Sequence, residues 1–323
     1  MTSTALLRTL TRHEQANRVP KAFWTHFPFA DLDPEQLTQK TLEFQQQTQS
    51  DFIKAMSNGI YAVEDWGVEA DYSEIEQGGN ARVISTPIHA PEDWAKITPN
   101  DPSQGALGRE LRYFALLHKT LGDTVPIVAT VFSPLTTLKH LYPDFIDHLQ
   151  RFPEEVTKAL EAITITTIDF VTAALDAGCA GVFFAVQDAN DSIGEALYRK
   201  WGKPYDLAVL GAAQAGWFNI LHIHGRNILF DLVADYPVQV LNWHIGETAP
   251  SVAEYRAAGG DKIVLGGIPR AHIRQAHTTD IHHDIEKALK PDRDGVIVST
   301  GCVVQHPYKL SVLQDIASFL QRY

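Results

Sequence analysis

The sequence contains little cysteine and no long apolar run. Its 323 residues include only two cysteines, Cys179 and Cys302, which excludes a disulfide framework and favours a reducing compartment. No window reaches the roughly 18 uninterrupted apolar residues that a bilayer-spanning helix needs. The opening residues, Met1 to Arg8, are too interrupted by polar side chains for the core of a signal peptide. We therefore expect a cytoplasmic protein without a transmembrane anchor.

Basic residues are also few. There are 27 lysines and arginines against 39 aspartates and glutamates, which gives a formal net charge of −12. A field of this sign repels phosphate backbones and anionic lipid headgroups, so we expect neither nucleic acid nor a membrane surface as a partner. A local basic pocket for an anionic substrate is compatible with this charge. The expected partner is a small molecule, and the choice between monomer and homodimer stays open.

Hydrophobic residues, by contrast, make up 45% of the chain, which is enough for a globular core. They recur as short β-branched or aromatic runs bounded by Gly, Pro or Asp, a pattern typical of parallel strands buried on both faces. Stretches with a helical apolar period, such as 34–48 and 280–289, lie between these runs. Eight strands are predicted: Lys21–Trp24, Asp51–Ala55, Pro126–Val131, Gly181–Val186, Phe218–His222, Val238–Trp243, Lys262–Leu265 and Gly295–Ser299.

Alternation of eight strands with helices predicts an α/β fold, a (β/α)8 barrel that forms a single domain over 1–323, with 1–18 as a lead-in helix. The alternative is a doubly wound open sheet, but no G-x-G-x-x-G motif follows a strand to support it. In a barrel the chemistry lies at the carboxyl ends of the strands. Polar residues at those ends are therefore the candidates for a functional site.

The strongest candidates form a metal site. His222 and His224 end the fifth strand, and because side chains alternate along a strand, both imidazoles should face the same way. Cys302 follows the eighth strand. Two imidazoles and a thiolate suit Zn²⁺ and leave a fourth position for water, substrate or Glu247, which otherwise would be a solvated loop acid. The alternative for the cysteine is a small buried hydrophobe.

Further polar residues at predicted strand ends are candidates for substrate binding. Gln187 and Asp188 end the fourth strand, where the alternative role is to cap the next helix. Cys179 precedes the same strand at the opposite end, so we expect it to be structural. The remaining strand-end candidates are His26, Asn58, Ser133 and Asn242.

Several motifs resemble those of the uroporphyrinogen decarboxylase superfamily in order and spacing. They are Arg18-Val19-Pro20 with Trp24, Phe132-Ser133-Pro134-Leu135-Thr136, Asn242-Trp243, and Gly266-Gly267-Ile268-Pro269. The resemblance implies a (β/α)8 barrel. It also places Asn58 where the family has an aspartate that binds pyrrole NH groups, His140 where it has a tyrosine, and Cys302 where it has a late histidine.

The resemblance does not extend to the substrate clamp of true decarboxylases. Those enzymes hold their tetracarboxylate with an arginine-rich segment after the first strand, where this chain has Thr25-His26-Phe27-Pro28-Phe29. Without arginine, a chain of net charge −12 would neutralise several carboxylates poorly. Uroporphyrinogen decarboxylation is therefore not expected.

The other branch of the superfamily comprises corrinoid-linked methyltransferases, including methylcobalamin:coenzyme M methyltransferases. They bind zinc through H-x-C and a distant cysteine, to which His222, His224 and Cys302 correspond. The resemblance implies zinc-dependent transfer of a methyl group from a corrinoid protein to a thiol. His224 replaces a cysteine, so the zinc would be more Lewis acidic and a bound thiolate less nucleophilic. This difference argues against a thiol as the methyl acceptor. The alternatives are a cofactor-free decarboxylase of a uroporphyrinogen-like or smaller carboxylate, a zinc hydrolase and a non-catalytic binding protein.

Overall fold

A computed structural model describes residues 1–28, 30–72 and 81–323. Phe29, the last residue of the segment without arginine, lies outside this part of the chain. In this part of the chain, seven parallel strands form the main sheet, and two more strands pair antiparallel as a separate hairpin. In chain order the described strands are β1 (Ile53–Ala55), β2 (Glu69–Asp71), β3 (Arg82–Ser85), β4 (Ile127–Phe132), β5 (Gly181–Val186), β6 (Ile220–Ile223), β7 (Val240–Trp243), β8 (Ile263–Ile268) and β9 (Val296–Thr300).

Helices separate these strands, and several begin with the expected capping residues. Asp33 accepts hydrogen bonds from the first backbone amides of α2, and Pro34 occupies the first helical position. The described helices are α1 (Ser3–Thr11), α2 (Pro34–Thr48), α3 (Tyr61–Glu64), α4 (Gly105–Leu121), α5 (Pro134–Leu141), α6 (Phe145–Arg151), α7 (Pro153–Asp176), α8 (Glu195–Trp201), α9 (Lys203–Ala213), α10 (Phe230–Val233), α11 (Val252–Ala257), α12 (Arg270–Gln275), α13 (Thr278–Leu289) and α14 (Leu310–Phe319). Short 3-10 turns lie at Pro91–Lys96, Arg293–Gly295 and Leu320–Arg322.

The strand order follows the chain. The main sheet runs β1-β4-β5-β6-β7-β8-β9, with every neighbouring pair parallel. A doubly wound sheet requires the order to reverse at a switch point, so that alternative is wrong. Each of these strands is buried along its whole length, as the continuous apolar runs predict.

Seven of the eight predicted strands are confirmed, with ends that shift by up to three residues. The eighth, Lys21–Trp24, contributes only a single parallel bridge, from Lys21 to Val298. Its backbone nevertheless forms hydrogen bonds near both edge strands of the sheet, β9 and β1. The amide of Ala22 donates to Val298 O at 3.1 Å, and the amide of Asp51 donates to Lys21 O at 2.7 Å.

The hairpin of β2 and β3 was not predicted. Its residues are exposed or half-buried, so they carry no apolar run that would indicate a strand. Among the helices that the structure describes, none is long and apolar enough to cross a membrane.

Candidate metal centre

Three strand ends on one side of the sheet supply the candidate ligands. His222 is the penultimate residue of β6, His224 follows that strand directly, and His244 directly follows β7. Cys302 follows β9 after a single glycine. Because β6 and β7 pair in parallel, with His222 opposite Asn242, their carboxyl ends lie side by side.

Gly301 allows the cysteine to reach this position. A Cβ atom on Gly301 would lie 2.6 Å from the carbonyl oxygen of Trp243 and 2.6 Å from the Cα of His244. Any other residue would push the chain away from β7, so the close approach requires glycine.

The four side chains form a compact group, which we call the histidine–cysteine cluster. One potential ligand atom from each lies within 4.8 Å of all the others. Nδ1 of His224 is 3.3 Å from Nε2 of His222, 3.3 Å from Nε2 of His244 and 3.8 Å from the Cys302 sulfur. The cluster consists of His222, His224, His244 and Cys302.

Sequence analysis predicted three of these four residues and missed His244. The information was present, because His244 follows Asn242 by two positions at a strand end, the same alternation that relates His222 to His224. The proposed fourth ligand, Glu247, lies outside the cluster. Its carboxylate accepts two hydrogen bonds from Arg270, at 2.9 and 2.7 Å, and lies 3.7 Å from Nδ1 of His244.

Asn242 fixes the orientation of the His222 ring. Its side-chain amide donates to the carbonyl of Leu265 at 2.7 Å, which turns the amide oxygen toward Nδ1 of His222 at 2.5 Å. Nδ1 therefore carries the proton, and the lone pair of Nε2 points into the cluster. This is the partner arrangement that metal-binding histidines generally have.

The electrostatics of the cluster favour the thiolate. Burial alone would raise the pKa of Cys302, but the charge of His222 and the hydrogen bonds of the three histidines outweigh it and hold that pKa well below its usual value. Burial lowers the pKa of His222, whereas the pKa of His244 is raised, because its hydrogen bonds to Cys302 and Glu247 outweigh the effect of burial. Three imidazoles and a thiolate are a donor set that fits zinc, whose binding would release any proton that the raised pKa of His244 retains.

A cavity of about 550 Å³ opens beside the cluster, and His222, His224 and Cys302 line part of its wall. Burial lowers the pKa values of His26 and His140, both in this wall, to about 4. Sequence analysis missed two cationic residues of the lining, Lys54 and Arg270.

Comparison with known proteins then identifies the family. A profile of the family described as uroporphyrinogen decarboxylase (URO-D) matches residues 4–323. The chain belongs to the uroporphyrinogen decarboxylase family.

Two solved structures resemble this uroporphyrinogen decarboxylase family member. A methyltransferase from Methanosarcina mazei shares 17% sequence identity, with a TM-score of 0.87 over 100% of this chain and 99% of that one. A putative vitamin-B12 independent methionine synthase from Listeria monocytogenes shares 14% identity, with a TM-score of 0.58 over 94% of this chain and 96% of that one. At these identities the likeness establishes the fold alone. No curated protein matches the chain.

The other predicted residues of this family member have different surroundings. His26, His140 and Gln187 line the cavity. Asn58 instead stabilises its own turn, where it accepts from the amide of Ile60 at 2.9 Å and donates to Glu64 at 2.9 Å.

Ser133 and Asp188 belong to a second polar group, which we call the aspartate network. Ser133 caps α5 by accepting from the amide of Thr136 at 3.2 Å. The Thr136 hydroxyl donates to Asp188 at 2.9 Å, and the Lys139 ammonium binds the other carboxylate oxygen of Asp188 at 3.0 Å. The network consists of Ser133, Thr136, Lys139 and Asp188.

Proposed function

We propose that this protein is a zinc-dependent methyltransferase that moves a methyl group from a corrinoid protein to a thiol. The observation that carries the proposal is the convergence of three imidazoles and one thiolate beside a cavity, whose wall includes two of the imidazoles and the thiolate. A distant structural neighbour from Methanosarcina mazei is itself named a methyltransferase, which supports the class of reaction.

His222, His224 and Cys302 would hold the zinc, and the fourth position would belong to the substrate thiol, with His244 rather than Glu247 as the protein donor there when no substrate is bound. When bound, zinc supplies a Lewis acid that lowers the pKa of a substrate thiol and so provides a nucleophile at neutral pH. The chain's own residues prepare this site. Asn242 holds His222 in the required tautomer, and Phe183, stacked on His222 with ring centres 5.1 Å apart, excludes water from one side.

Arg270 and Glu247 act on the fourth donor. The Arg270 guanidinium lies 3.2 Å from Nδ1 of His244, and Glu247 pairs with the same guanidinium. Because a guanidinium only donates, this contact places the proton of a neutral His244 on Nε2, which faces His224. Nε2 could bind an ion once that proton moves to Nδ1, where the Glu247 carboxylate lies 3.7 Å away as the acceptor.

The same proposal includes the architecture around the site. The hydrogen bonds of Lys21 and Ala22 to both edges of the sheet support a closed (β/α)8 barrel in which Lys21–Trp24 is the eighth strand. We propose that 1–323 form one domain, with 1–18 as a lead-in segment whose helix spans only Ser3–Thr11 rather than the whole of 1–18. A cytoplasmic enzyme that acts on a small thiol fits the absence of disulfides and the net negative charge.

Metal content provides the first test. Purified protein should contain about one zinc per chain, and His222→Ala or Cys302→Ser should lower its occupancy at least tenfold. Cys179→Ala is the matched control, since Cys179 is buried away from the cluster and should leave zinc unchanged. Metal-free protein that also fails to bind added zinc tightly would overturn the proposal.

The second test concerns the reaction. The zinc form, mixed with methylcobalamin and a panel of thiols, should change the cobalamin absorption spectrum as the methyl group leaves cobalt. Release of carbon dioxide from a carboxylate by metal-free protein would instead favour the decarboxylase alternative. Solvent-derived oxygen in a product would favour the hydrolase, and zinc binding without any turnover would favour a binding protein.

A further inference from the structure

A second cavity, of about 470 Å³, lies at the amino ends of the strands, opposite the histidine–cysteine cluster. We call it the amino-end cavity. Its wall includes Ile127, the first residue of β4, together with Ala180 and Trp217, which precede β5 and β6. Helix α1 contributes Thr4 and Arg8 to the same wall. The volume is typical of sites that bind small molecules.

Close approaches of the backbone keep this space from being filled. Gly178 has a φ of +100°, and a Cβ atom on it would lie 2.3 Å from Cγ of His118. A Cβ atom on Gly216 would lie 2.8 Å from the Cα of Gly181. Two positions of the wall therefore require glycine and have no side chain that could occupy the cavity.

Arg8 is the one lysine or arginine among the lining residues that the structure describes. Its Cζ lies 4.2 Å from the centre of the Trp217 ring. Most arginines of the described chain form an ion pair with an acid, as Arg12 does with Glu14, but Arg8 forms none there. Stacking uses the face of the guanidinium and leaves its N–H edge free to donate.

Two further polar groups of the wall lack partners in the described part of the chain. The Thr4 hydroxyl oxygen is buried without a hydrogen-bond partner, which is uncommon in folded proteins. The His118 ring lines the same cavity, and neither of its nitrogens forms a hydrogen bond with a described residue. A hydroxyl and an imidazole can each donate to a ligand oxygen, so the wall offers two donors in addition to the guanidinium.

The charges of the wall limit the ligand. Besides Arg8, the lining contains one exposed acid, Asp123. A dianion such as phosphate would carry a second negative charge that one guanidinium cannot neutralise, whereas a single carboxylate matches its two-pronged edge. Leu175 and Val125 add apolar surface to the same wall. These properties favour a monocarboxylate with an apolar body over a bare or doubly charged anion.

We propose that the amino-end cavity binds a small organic acid, whose carboxylate pairs with Arg8 and whose apolar body lies against Leu175 and Val125. The Thr4 hydroxyl and the His118 ring donate to the same ligand. Such a ligand joins α1 to the segments before β4, β5 and β6 and so stabilises the packing of α1, whose leucines share an apolar cluster with the first residues of β6, β7 and β8. The inference does not depend on zinc or methyl transfer, because no residue of the histidine–cysteine cluster lines this cavity.

The test compares an acid with its neutral analogue and with a dianion. Binding of benzoate, benzamide and inorganic phosphate to the full-length protein is measured by calorimetry at pH 8, where phosphate is mainly a dianion. Wild-type protein should bind benzoate at least tenfold more tightly than either of the others. Arg8→Gln should lose this preference through weaker binding of benzoate alone. Ala215→Phe, which fills the cavity from an exposed position, should also weaken benzoate binding at least tenfold. Arg12→Gln removes an exposed arginine outside the cavity and should retain the preference.

Folding and the other cavity are controlled separately. Because Arg8 is exposed and unpaired, Arg8→Gln without benzoate should unfold at the same temperature as wild type. Benzoate should raise the thermal midpoint of wild type and of Arg12→Gln but not that of Arg8→Gln. His222→Ala changes only the cavity at the carboxyl ends and should bind benzoate as wild type does, even if the zinc chemistry fails. Equal binding of benzoate and benzamide, phosphate binding as tight as that of benzoate, unchanged binding in Arg8→Gln, or a loss of binding in His222→Ala would overturn the inference.

Discussion

The histidine–cysteine cluster and the aspartate network lie at carboxyl ends of strands in one sheet, yet they differ in chemistry. In the aspartate network each donor meets an acceptor, since Thr136 and Lys139 bind separate oxygens of Asp188. In the cluster, ring nitrogens and a sulfur face one another without any carboxylate within the group. The hydrogen bonds of the aspartate network are satisfied within the protein. The histidine–cysteine cluster instead brings several potential ligand atoms close to one point, where a cation could bind.

Position at a strand end therefore identifies candidates but does not assign their role. Asp188 lies just after β5 and His222 lies near the end of the neighbouring β6, and both are buried. Their partners distinguish them, because a carboxylate bound by an ammonium and a hydroxyl has its charge neutralised and its oxygens occupied. We expect substitutions in the aspartate network to change stability and substitutions in the cluster to change metal binding.

The largest effect is expected at a buried carboxylate outside both groups. Asp206 in α9 accepts hydrogen bonds from the hydroxyls of Tyr198 and Tyr236, but no described cation contacts it. Burial raises its pKa to about 7, and the charge of Asp188 acts in the same direction. In an unfolded chain the pKa of aspartate is about 3.9. Between these values the folded state binds more protons, so the free energy of unfolding should fall as pH rises.

Asp206→Asn should remove this dependence, because the amide stays neutral. Relative to wild type, its free energy of unfolding should gain roughly 3 kcal/mol between pH 5 and pH 8, as a shift of one pKa unit corresponds to about 1.4 kcal/mol. Urea denaturation at several pH values measures the difference. If the free energies of unfolding of wild type and Asp206→Asn instead change in parallel with pH, the prediction is wrong. The lack of a cation beside Asp206 would then not set it apart from Asp188, which Lys139 binds.

The next effect concerns the support of the cluster. Asn242→Ala removes the oxygen that orients His222 and should lower zinc affinity about 10- to 100-fold. Asn242→Asp retains an acceptor at the same position and should bind zinc nearly as well as wild type. Competition with a chromophoric chelator measures both. Equal losses in the two variants would contradict an orienting role.

The smallest effect is expected in the aspartate network. Asp188→Ala should lower the free energy of unfolding by about 1.5 kcal/mol, a modest value because the Lys139 side chain is 39% exposed and solvent screens the pair. Zinc content should not change. Chemical denaturation and elemental analysis of the same preparation separate the two outcomes. A loss of zinc without loss of stability would contradict the assignment of the aspartate network to stability rather than to metal binding.

Much of the fold could be predicted because burial on both faces leaves a clear pattern. The strands from β4 to β9 are continuous apolar runs, and each was found within a few residues. The β2–β3 hairpin escaped prediction because its exposed side chains follow no apolar alternation. Segment Lys21–Trp24 was predicted as a strand, but its pairing with Val298 depends on contacts distant in sequence.

The site could be predicted only in part, for a similar reason. His222, His224 and Cys302 were found because residue type and strand-end position coincide. His244 obeys the same rule and could have been included. Lys54 could not, since a lysine within a short strand ordinarily indicates an exposed position, and only the folded chain places its ammonium inside a cavity.

The thiol of the cluster lies 78 residues beyond His224, whereas the three imidazoles lie close together in the chain. During synthesis the histidines leave the ribosome first and offer only nitrogen ligands. Sulfur joins them when the last strand docks beside its neighbour. Loading of the proposed zinc would consequently be a late event in biogenesis, and a nascent chain interrupted before that point would lack the ligand that favours such an ion over harder competitors.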